Sequence, residues 1–425
     1  MPVVTEWQGH DVDVAVIGAG AAGIGAARRL QALRPDLSLL VLEAGGRLGG
    51  RAHTMNLAAG IACDLGCGWL HGARTNEWTR IAREFGLALD LTPAPWDVEQ
   101  GKDPLGLSAQ DIAEWNAARS AYFARVEARG EDGADASLAE ALEPDNPWNG
   151  RLDAVATYIN GVEMAGASIA DYNRYDPGPG PDWRVRAGYG HLVSTYGAPL
   201  PVMLGAAVEQ VDHRAGDRIE LVTSRGNLRA RAVVVAVSTT VLAHERIRFV
   251  PALPAKLAAA ASLPLGLDNK LFLKLVHPED LPIDARLMGK RSATRSGSYQ
   301  IRPMGNPVIE AYFGGDLAWD LERAGEDAAA AFAIEELAAH FGNDFKRGLS
   351  LAAASAWGSN RYIGGGYSYA KPGHADARGR LAAPVDNRLF FAGEATALKR
   401  FSTAHGAFET GVAAAETISV ALPHR

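Results

Sequence analysis

Apolar positions along this chain change their period several times, and each change predicts an element. Val12 to Ile17 form an unbroken apolar run rich in β-branched residues, the pattern of a short strand covered on both faces of a parallel sheet. Ala21 to Leu33 reads as the helix that follows, and after Pro35 and Asp36 a second apolar run covers Leu37 to Leu42. Residues 101–150 carry apolar positions at helical spacing among Ala, Glu, Asp and Arg, which predicts helices and a loop around GEDGAD. From Leu204 the period shortens: Gly216 and Gly226 punctuate β-type runs, and the last run, in ARAVVVAVS, predicts a buried strand that returns the chain to its first sheet. Leu267 to Val276 reads as another strand and Ala328 to Phe341 as an amphipathic helix. There is no internal repeat.

The junction between the first run and its helix carries candidate chemistry. Gly18, Gly20 and Gly23 make GxGxxG. The first glycine permits a tight turn, the second lets backbone approach a pyrophosphate, and the third lets helix pack on strand, so the anion meets the positive end of the helix. Glu43 closes the second run about 20 residues beyond the last glycine, where an acceptor for ribose hydroxyls belongs. An acid there disfavours a 2′-phosphate and hence NADP, but the fingerprint alone does not separate NAD from FAD. No second GxGxxG follows a strand, which argues against a separate NADPH domain. The chain's other end supplies a companion, RLFFAGEATALKRFSTAHGAFETG, which also passes from an apolar strand through glycine into a helix.

Composition narrows the class. The 425 residues exceed one ordinary domain, and 48% hydrophobic with 21% charged residues describes a soluble globular protein with ample core. A net charge of −7 gives no reason to expect nucleic acid and is mildly favourable for cationic substrates. Cys63 and Cys67, the only cysteines, lie in a glycine-interrupted CDLGCG without histidine or cysteine companions, so small buried residues are expected rather than a metal site. MPVVTEWQGHD has neither a basic region nor an apolar core, and no apolar run reaches 18 residues. The expectation is therefore a cytoplasmic protein without a signal peptide or membrane span.

Several separated motifs, in order, resemble the FAD-dependent amine oxidases, a family that includes monoamine and polyamine oxidases, L-amino-acid oxidases and flavin histone demethylases. EAGGRLGGR, with Ala44, Arg47, Gly49, Gly50 and Arg51, resembles the second flavin-contacting motif, and FFAGEAT, with Gly393 and Glu394, resembles the C-terminal one. The resemblance implies FAD, with Ala22, Gly68, Trp69, Val208, Trp357 and Thr403 added to the cofactor contacts. DLGCGWLHG around His71 and FSTAHGA around Thr403 are closer to polyamine and spermine oxidases than to monoamine oxidases. Tyr367 matches the first tyrosine of the monoamine oxidase cage, whereas Thr403 stands at the second, leaving the cage half open. Gly366 stands where monoamine oxidases carry the cysteine that bonds the flavin, so noncovalent FAD is expected.

The resemblance also assigns roles. Lys270 falls where the family has a lysine holding a water against flavin N5, with desolvation expected to lower its pKa. The alternative is a surface lysine on an alternating strand, on the same face as Lys274. His71 either binds substrate or walls the site, or satisfies a loop carbonyl. Glu163 matches a glutamate near the distal ammonium of the substrate in some polyamine oxidases, against the alternative of a solvated helix residue. Trp357 is expected as a wall of the flavin pocket.

The expected fold is α/β, with a Rossmann-type FAD-binding domain (1–75, 203–265 and 380–425) and a substrate domain of mixed sheet and helices (76–202 and 266–379). The expected reaction is hydride transfer from an amine α-carbon to FAD N5, imine hydrolysis to a carbonyl compound plus amine, and reoxidation by O2 to hydrogen peroxide. A di- or polyamine is the favoured substrate. Alternatives are an aromatic monoamine, an L-amino acid with Arg184, Arg186 or Arg361 taking the carboxylate, a catabolic secondary amine, a flavin-dependent desaturase or isomerase, or a noncatalytic flavoprotein. A homo-oligomer is left open.

Overall fold

In a computed structural model of the chain, residues 11–57, 60–96, 104–131, 133, 135–214, 216–290 and 292–423 are described. The first ten residues, on which the reading of the N-terminus rested, lie outside these, as does part of the GEDGAD loop. Seven strands build most of the first sheet: β1 (Asp11–Ile17), β2 (Leu39–Glu43), β3 (Val202–Leu204), β4 (Val208–Asp212), β5 (Ile219–Thr223), β6 (Gly226–Val235) and β7 (Arg248–Val250). Their order is β7-β4-β5-β6-β1-β2-β3, and an eighth strand, Leu389–Phe391, pairs with β6. β1 lies parallel to both β2 and β6, the arrangement expected of an apolar run buried on both faces. The ten residues of β6 let its first half pair antiparallel with β5 while its second half takes the last strand in parallel.

Both faces of this sheet are covered. Val14 and Val16 enter one apolar cluster with α1 (Ala21–Leu33), and Val12 and Ile17 enter the other. β2 begins at Leu39 rather than Leu37 because Ser38 is drawn to β1, donating from both N and Oγ to Asp13 Oδ2.

The second sheet comprises β8 (Asp268–Leu275), β9 (Ala285–Met288), β10 (Ser298–Ile301), β11 (Val308–Gly314) and β12 (Leu349–Ala354), ordered β9-β10-β11-β8-β12. Its strand pairs are antiparallel, with an isolated parallel bridge from Leu105 to Leu287 at the edge. One face packs on α4 (Glu326–Phe341) through residues such as Leu271, Tyr299, Ala333 and Leu337. The other face is left to a cavity. The helices α2 (Ala109–Glu131) and α3 (Asn149–Asn160) form their own small core around Trp115, Tyr122 and Trp148. α5 (Ala404–Ala421) lies along α1, where a Cβ on Gly411 would stand 2.0 Å from the Ala22 carbonyl oxygen, so the two helices approach backbone to backbone.

Candidate functional site

A single cavity of about 1560 Å³ runs from the glycine turn after β1 to the open face of the second sheet. That exceeds the roughly 300–1,000 Å³ of a small-ligand pocket, leaving room for a dinucleotide and a second molecule. At one end Gly18 has φ +100°, and a Cβ there would meet the Ala236 carbonyl oxygen at 2.5 Å. A Cβ on Gly23 would lie 1.9 Å from the Gly18 oxygen, so this residue packs helix on turn and does not itself face the cavity. Gly20, the N-cap of α1, does face it, with no side-chain cap and no acid in the helix's first turn. The open amide groups of that turn fit a pyrophosphate.

Glu43 lines the cavity beside Ala44. Its Oε2 accepts from Ala19 N at 2.7 Å and its Oε1 from Gly45 N at 2.7 Å, so it ties two loops together while leaving a lone pair on each oxygen for a ribose hydroxyl. Gly49 pairs with the glycine turn, donating to the Ala19 carbonyl at 2.8 Å. Arg47 is spent locally on the Leu48, Gly50 and Ala52 carbonyls. Gly50, Gly68, Trp69 and Val208 complete this part of the wall.

Arg51 joins the two ends of the chain. Its Nη1 donates to Glu394 Oε1 at 2.9 Å and to the Gly366 carbonyl at 2.5 Å. Glu394 also accepts from Ser368 Oγ at 2.6 Å and Ser402 N at 3.0 Å. Burial pushes its carboxyl up, but the Arg51 and Arg378 charges and the Ser368 bond outweigh that and hold it below the ordinary value. Arg378, unmarked by any motif, makes a two-pronged ion pair with Asp171 and covers the Phe401 ring. Gly366 and Gly393 border the same space.

The opposite wall is the face of the second sheet, and its register sets out the side chains in rows. Lys270, Tyr312, Ser298 and Met288 stand opposite one another across β8, β11, β10 and β9, and two residues along, Glu310, Gln300 and Arg286 form the next row. Lys270 is buried, with Nζ 2.8 Å from Glu310 Oε1, which excludes the surface-lysine alternative. Its expected lowering is corrected: burial pulls Lys270 down, but Glu310, Asp64 and Cys67 outweigh it and the net shift is upward. Tyr367 donates its hydroxyl to the Tyr158 carbonyl at 2.5 Å and stands 3.1 Å from the Tyr312 hydroxyl. Asp268, also on the wall, has both carboxylate oxygens buried without a hydrogen bond of good geometry among the described residues, and burial raises it well above the ordinary value.

Trp357 backs the cavity and donates Nε1 to the Leu65 carbonyl at 2.9 Å. His71 also lines it, with Nδ1 3.0 Å from Asp182 Oδ2 rather than on a loop carbonyl. Thr403 lines it too, but its Oγ1 is occupied by Gly406 N and the Arg400 carbonyl as the N-cap of α5. Glu163 is not brought to the site: its Oε1 accepts from Asp316 N at 2.9 Å, in the first turn of the helix Gly315–Ala324, where an acid meets the helix's positive end. Arg184 and Arg186 are committed to Asp90, and Arg184 also to Asp284, whereas Arg361 lies on the wall. Cys63 and Cys67 are free thiols, each pushed up to about 12 by burial. Among the described residues there is no cluster of three or more His, Cys, Asp or Glu side chains placed to hold a metal ion, and no helix long and apolar enough to cross a membrane.

Residues 21–419 match the family described as flavin containing amine oxidoreductase. Polyamine oxidase 3 of Oryza sativa subsp. japonica is 32% identical, with 96% of this chain and 89% of that protein covered. Polyamine oxidase 2 of Arabidopsis thaliana is 31% identical over 95% of this chain and 87% of its own length. Among solved structures, a putrescine oxidase redesigned in its cofactor binding superposes with a TM-score of 0.77 at 18% identity, covering 97% of this chain and 99% of its own.

Proposed function

The chain belongs to the flavin-containing amine oxidoreductases and is an FAD-dependent amine oxidase, and from that premise we propose that it oxidises a C–N bond of an aliphatic amine seated between Tyr367 and the Lys270–Glu310 pair. The observation that carries this reading is the shared cavity: the glycine turn, the Arg51–Glu394 clasp and the Lys270 row of the second sheet border one space. Bound FAD supplies the two-electron acceptor for the amine, and O2 takes the electrons onward as hydrogen peroxide.

The residues divide the remaining work. Glu310 keeps Oε2 without a protein partner among the described residues, so it can meet an arriving ammonium while Oε1 holds Lys270. Lys270 stays protonated at neutral pH and holds a proton and a water at the cavity wall. The Tyr367 and Tyr312 hydroxyls, 3.1 Å apart, orient the amine nitrogen, and burial raises both phenols well above their ordinary value, so both stay neutral; with its proton given to the Tyr158 carbonyl, Tyr367 meets the amine as an acceptor. Trp357 and Trp69 exclude bulk water from the amine.

The substrate class supported by the names of the two plant relatives, and by the WLHG and STAHGA segments, is a di- or polyamine. Gly366 leaves no thiol for a flavin bond, so FAD is noncovalent: acid precipitation should release the yellow colour into the supernatant, and colour kept in the pellet would refute this. Peroxide release is the test of the reaction. Aerobic addition of spermidine, spermine or putrescine to the flavin-loaded protein should consume O2 and yield peroxide. A protein that retains flavin yet turns over no amine would instead be a binding flavoprotein.

A further inference from the structure

Two arginines on the second-sheet side of the cavity, one from the sheet and one from a helix, have no counter-ion among the described residues. Arg286 is the β9 member of the row that continues through Gln300 to Glu310, and Arg119 projects from α2; both line the cavity. Among the described residues neither has a carboxylate within ion-pair distance. Among the described residues the one hydrogen bond of the Arg286 guanidinium goes to the Met288 sulfur, at 3.9 Å. Nor does α2 neutralise Arg119 from its own turns: Trp115 and Phe123 occupy the positions four residues before and after, and Glu127 is eight residues on, about 12 Å along the axis, and exposed. Gln300 donates its amide to Asp284 and so cannot balance the charge beside it. Arg184 and Arg186, by contrast, are paired with Asp90.

Two cations facing one partly enclosed space are costly unless something anionic enters it. Burial, and to a smaller extent the Arg119 charge, hold Arg286 below its ordinary value. An arginine guanidinium nevertheless stays charged at neutral pH. A planar guanidinium presents its donors in the geometry of a carboxylate. Along the row, Arg286 is two strand spacings from Glu310, roughly 10 Å. That separation is too long for the amine and carboxylate of an α-amino acid and suits an extended aliphatic chain.

We propose that Arg286 and Arg119 form a carboxylate subsite at the far end of the cavity, and that the substrate is an amine or polyamine whose aliphatic chain ends in a carboxylate. The proposal rests on the amine oxidase reading and narrows its substrate. The ammonium end meets Glu310 below Tyr367, the chain crosses Gln300 and Ser298, and the carboxylate reaches the guanidinium groups.

The test uses the flavin-loaded protein without oxygen and compares matched amines: pentylamine, 1,5-diaminopentane and 5-aminopentanoate, then spermidine and N-(2-carboxyethyl)-1,4-diaminobutane. The carboxylate member of each set should bleach the flavin at a half-saturating concentration at least roughly tenfold lower than its partners. In Arg286→Gln, and less so in Arg119→Gln, the ratio between 5-aminopentanoate and pentylamine should collapse toward one through half-saturation rather than through the limiting rate. Arg286→Lys should restore much of it. Because a variant can fail to fold, flavin content is measured beside each, and calorimetry with pentanoate as a non-oxidisable probe should give binding to the unaltered protein that is lost in Arg286→Gln. Tighter reduction by the diamine or spermidine, or a carboxylate preference that survives Arg286→Gln, would overturn the subsite while leaving amine oxidation intact. Bleaching by no amine at all would overturn both.

Discussion

The two walls of the cavity handle charge in opposite ways. On the glycine-turn side four ionised groups are already answered by protein: Glu43 by two backbone amides, Arg47 by three carbonyls, Arg51 by Glu394, and Glu394 by Arg51, Ser368 and Ser402. On the second-sheet side Lys270 and Glu310 satisfy each other, while among the described residues Arg119 and Arg286 have no carboxylate partner and Asp268 stays buried without a good one. A wall complete in itself holds a resident group in a fixed pose, since its donors need no reorganisation on binding. A wall with unanswered charge selects what arrives by the charge that arrival brings.

The first wall depends most heavily on Glu394. Glu394→Ala strips a buried carboxylate from Arg51 and Arg378, and leaving such charges unpaired costs about 3–5 kcal/mol. Thermal unfolding should shift down accordingly and purified protein should carry little flavin; normal flavin content with unchanged melting would show that the clasp is not what holds the first wall.

Changes on the other wall should spare the flavin and strike turnover. Lys270→Met is expected to keep FAD bound but slow either the reductive or the oxidative half-reaction by an order of magnitude or more, within the usual range for a positioned proton-handling group. Unchanged stopped-flow rates in both halves would remove Lys270 from the mechanism. Glu310→Gln removes the largest contribution that opposes burial, leaving only the smaller ones of Asp64 and Cys67, so the Lys270 pKa falls and any basic limb of the rate profile should move to lower pH. A limb that stays in place would belong to another group.

A smaller effect separates the walls by pH. His405, in the first turn of α5 behind the first wall, is pressed down to about 3 by burial and by the His71 and Arg400 charges. Its folded value lies below the unfolded one, near 6.5, so the unfolded chain takes the proton first and stability falls as pH drops from about 6.5 toward about 3. His405→Gln should flatten that slope in melting curves, and an unaltered slope would assign the acid sensitivity to other groups. Smallest of all is Glu163→Gln, which loses one charged acceptor at a helix start and should cost under about 1 kcal/mol with no change in turnover.

What could be read from the chain follows the same division. The first wall was legible because its chemistry is carried by backbone: a strand, three glycines and a helix N-terminus are contiguous, and the spacing from Gly23 to Glu43 is local. The second wall assembles side chains from β8, β9, β10, β11 and α2, whose neighbourhood depends on register. Nothing in ARLMG or NPVIEAYF marks Arg286 and Glu310 as two strands apart in one row. The same blindness misjudged Lys270, whose partner lies 40 residues on, and it offered Arg184 and Arg186 for a carboxylate when Asp90 had claimed them. Glu163 looked available because a helix start 153 residues away in sequence is invisible to local pattern.

The central claim, that one cavity joins an FAD cradle to an amine seat on the second sheet, is tested most directly by anaerobic reduction of the purified flavoprotein with an aliphatic amine. The flavin should bleach completely, colour should return with hydrogen peroxide when air is admitted, and Lys270→Met should alter the rates without emptying the cradle. A flavin that stays oxidised in the presence of every di-, poly- and carboxylated amine, while remaining bound, would contradict it.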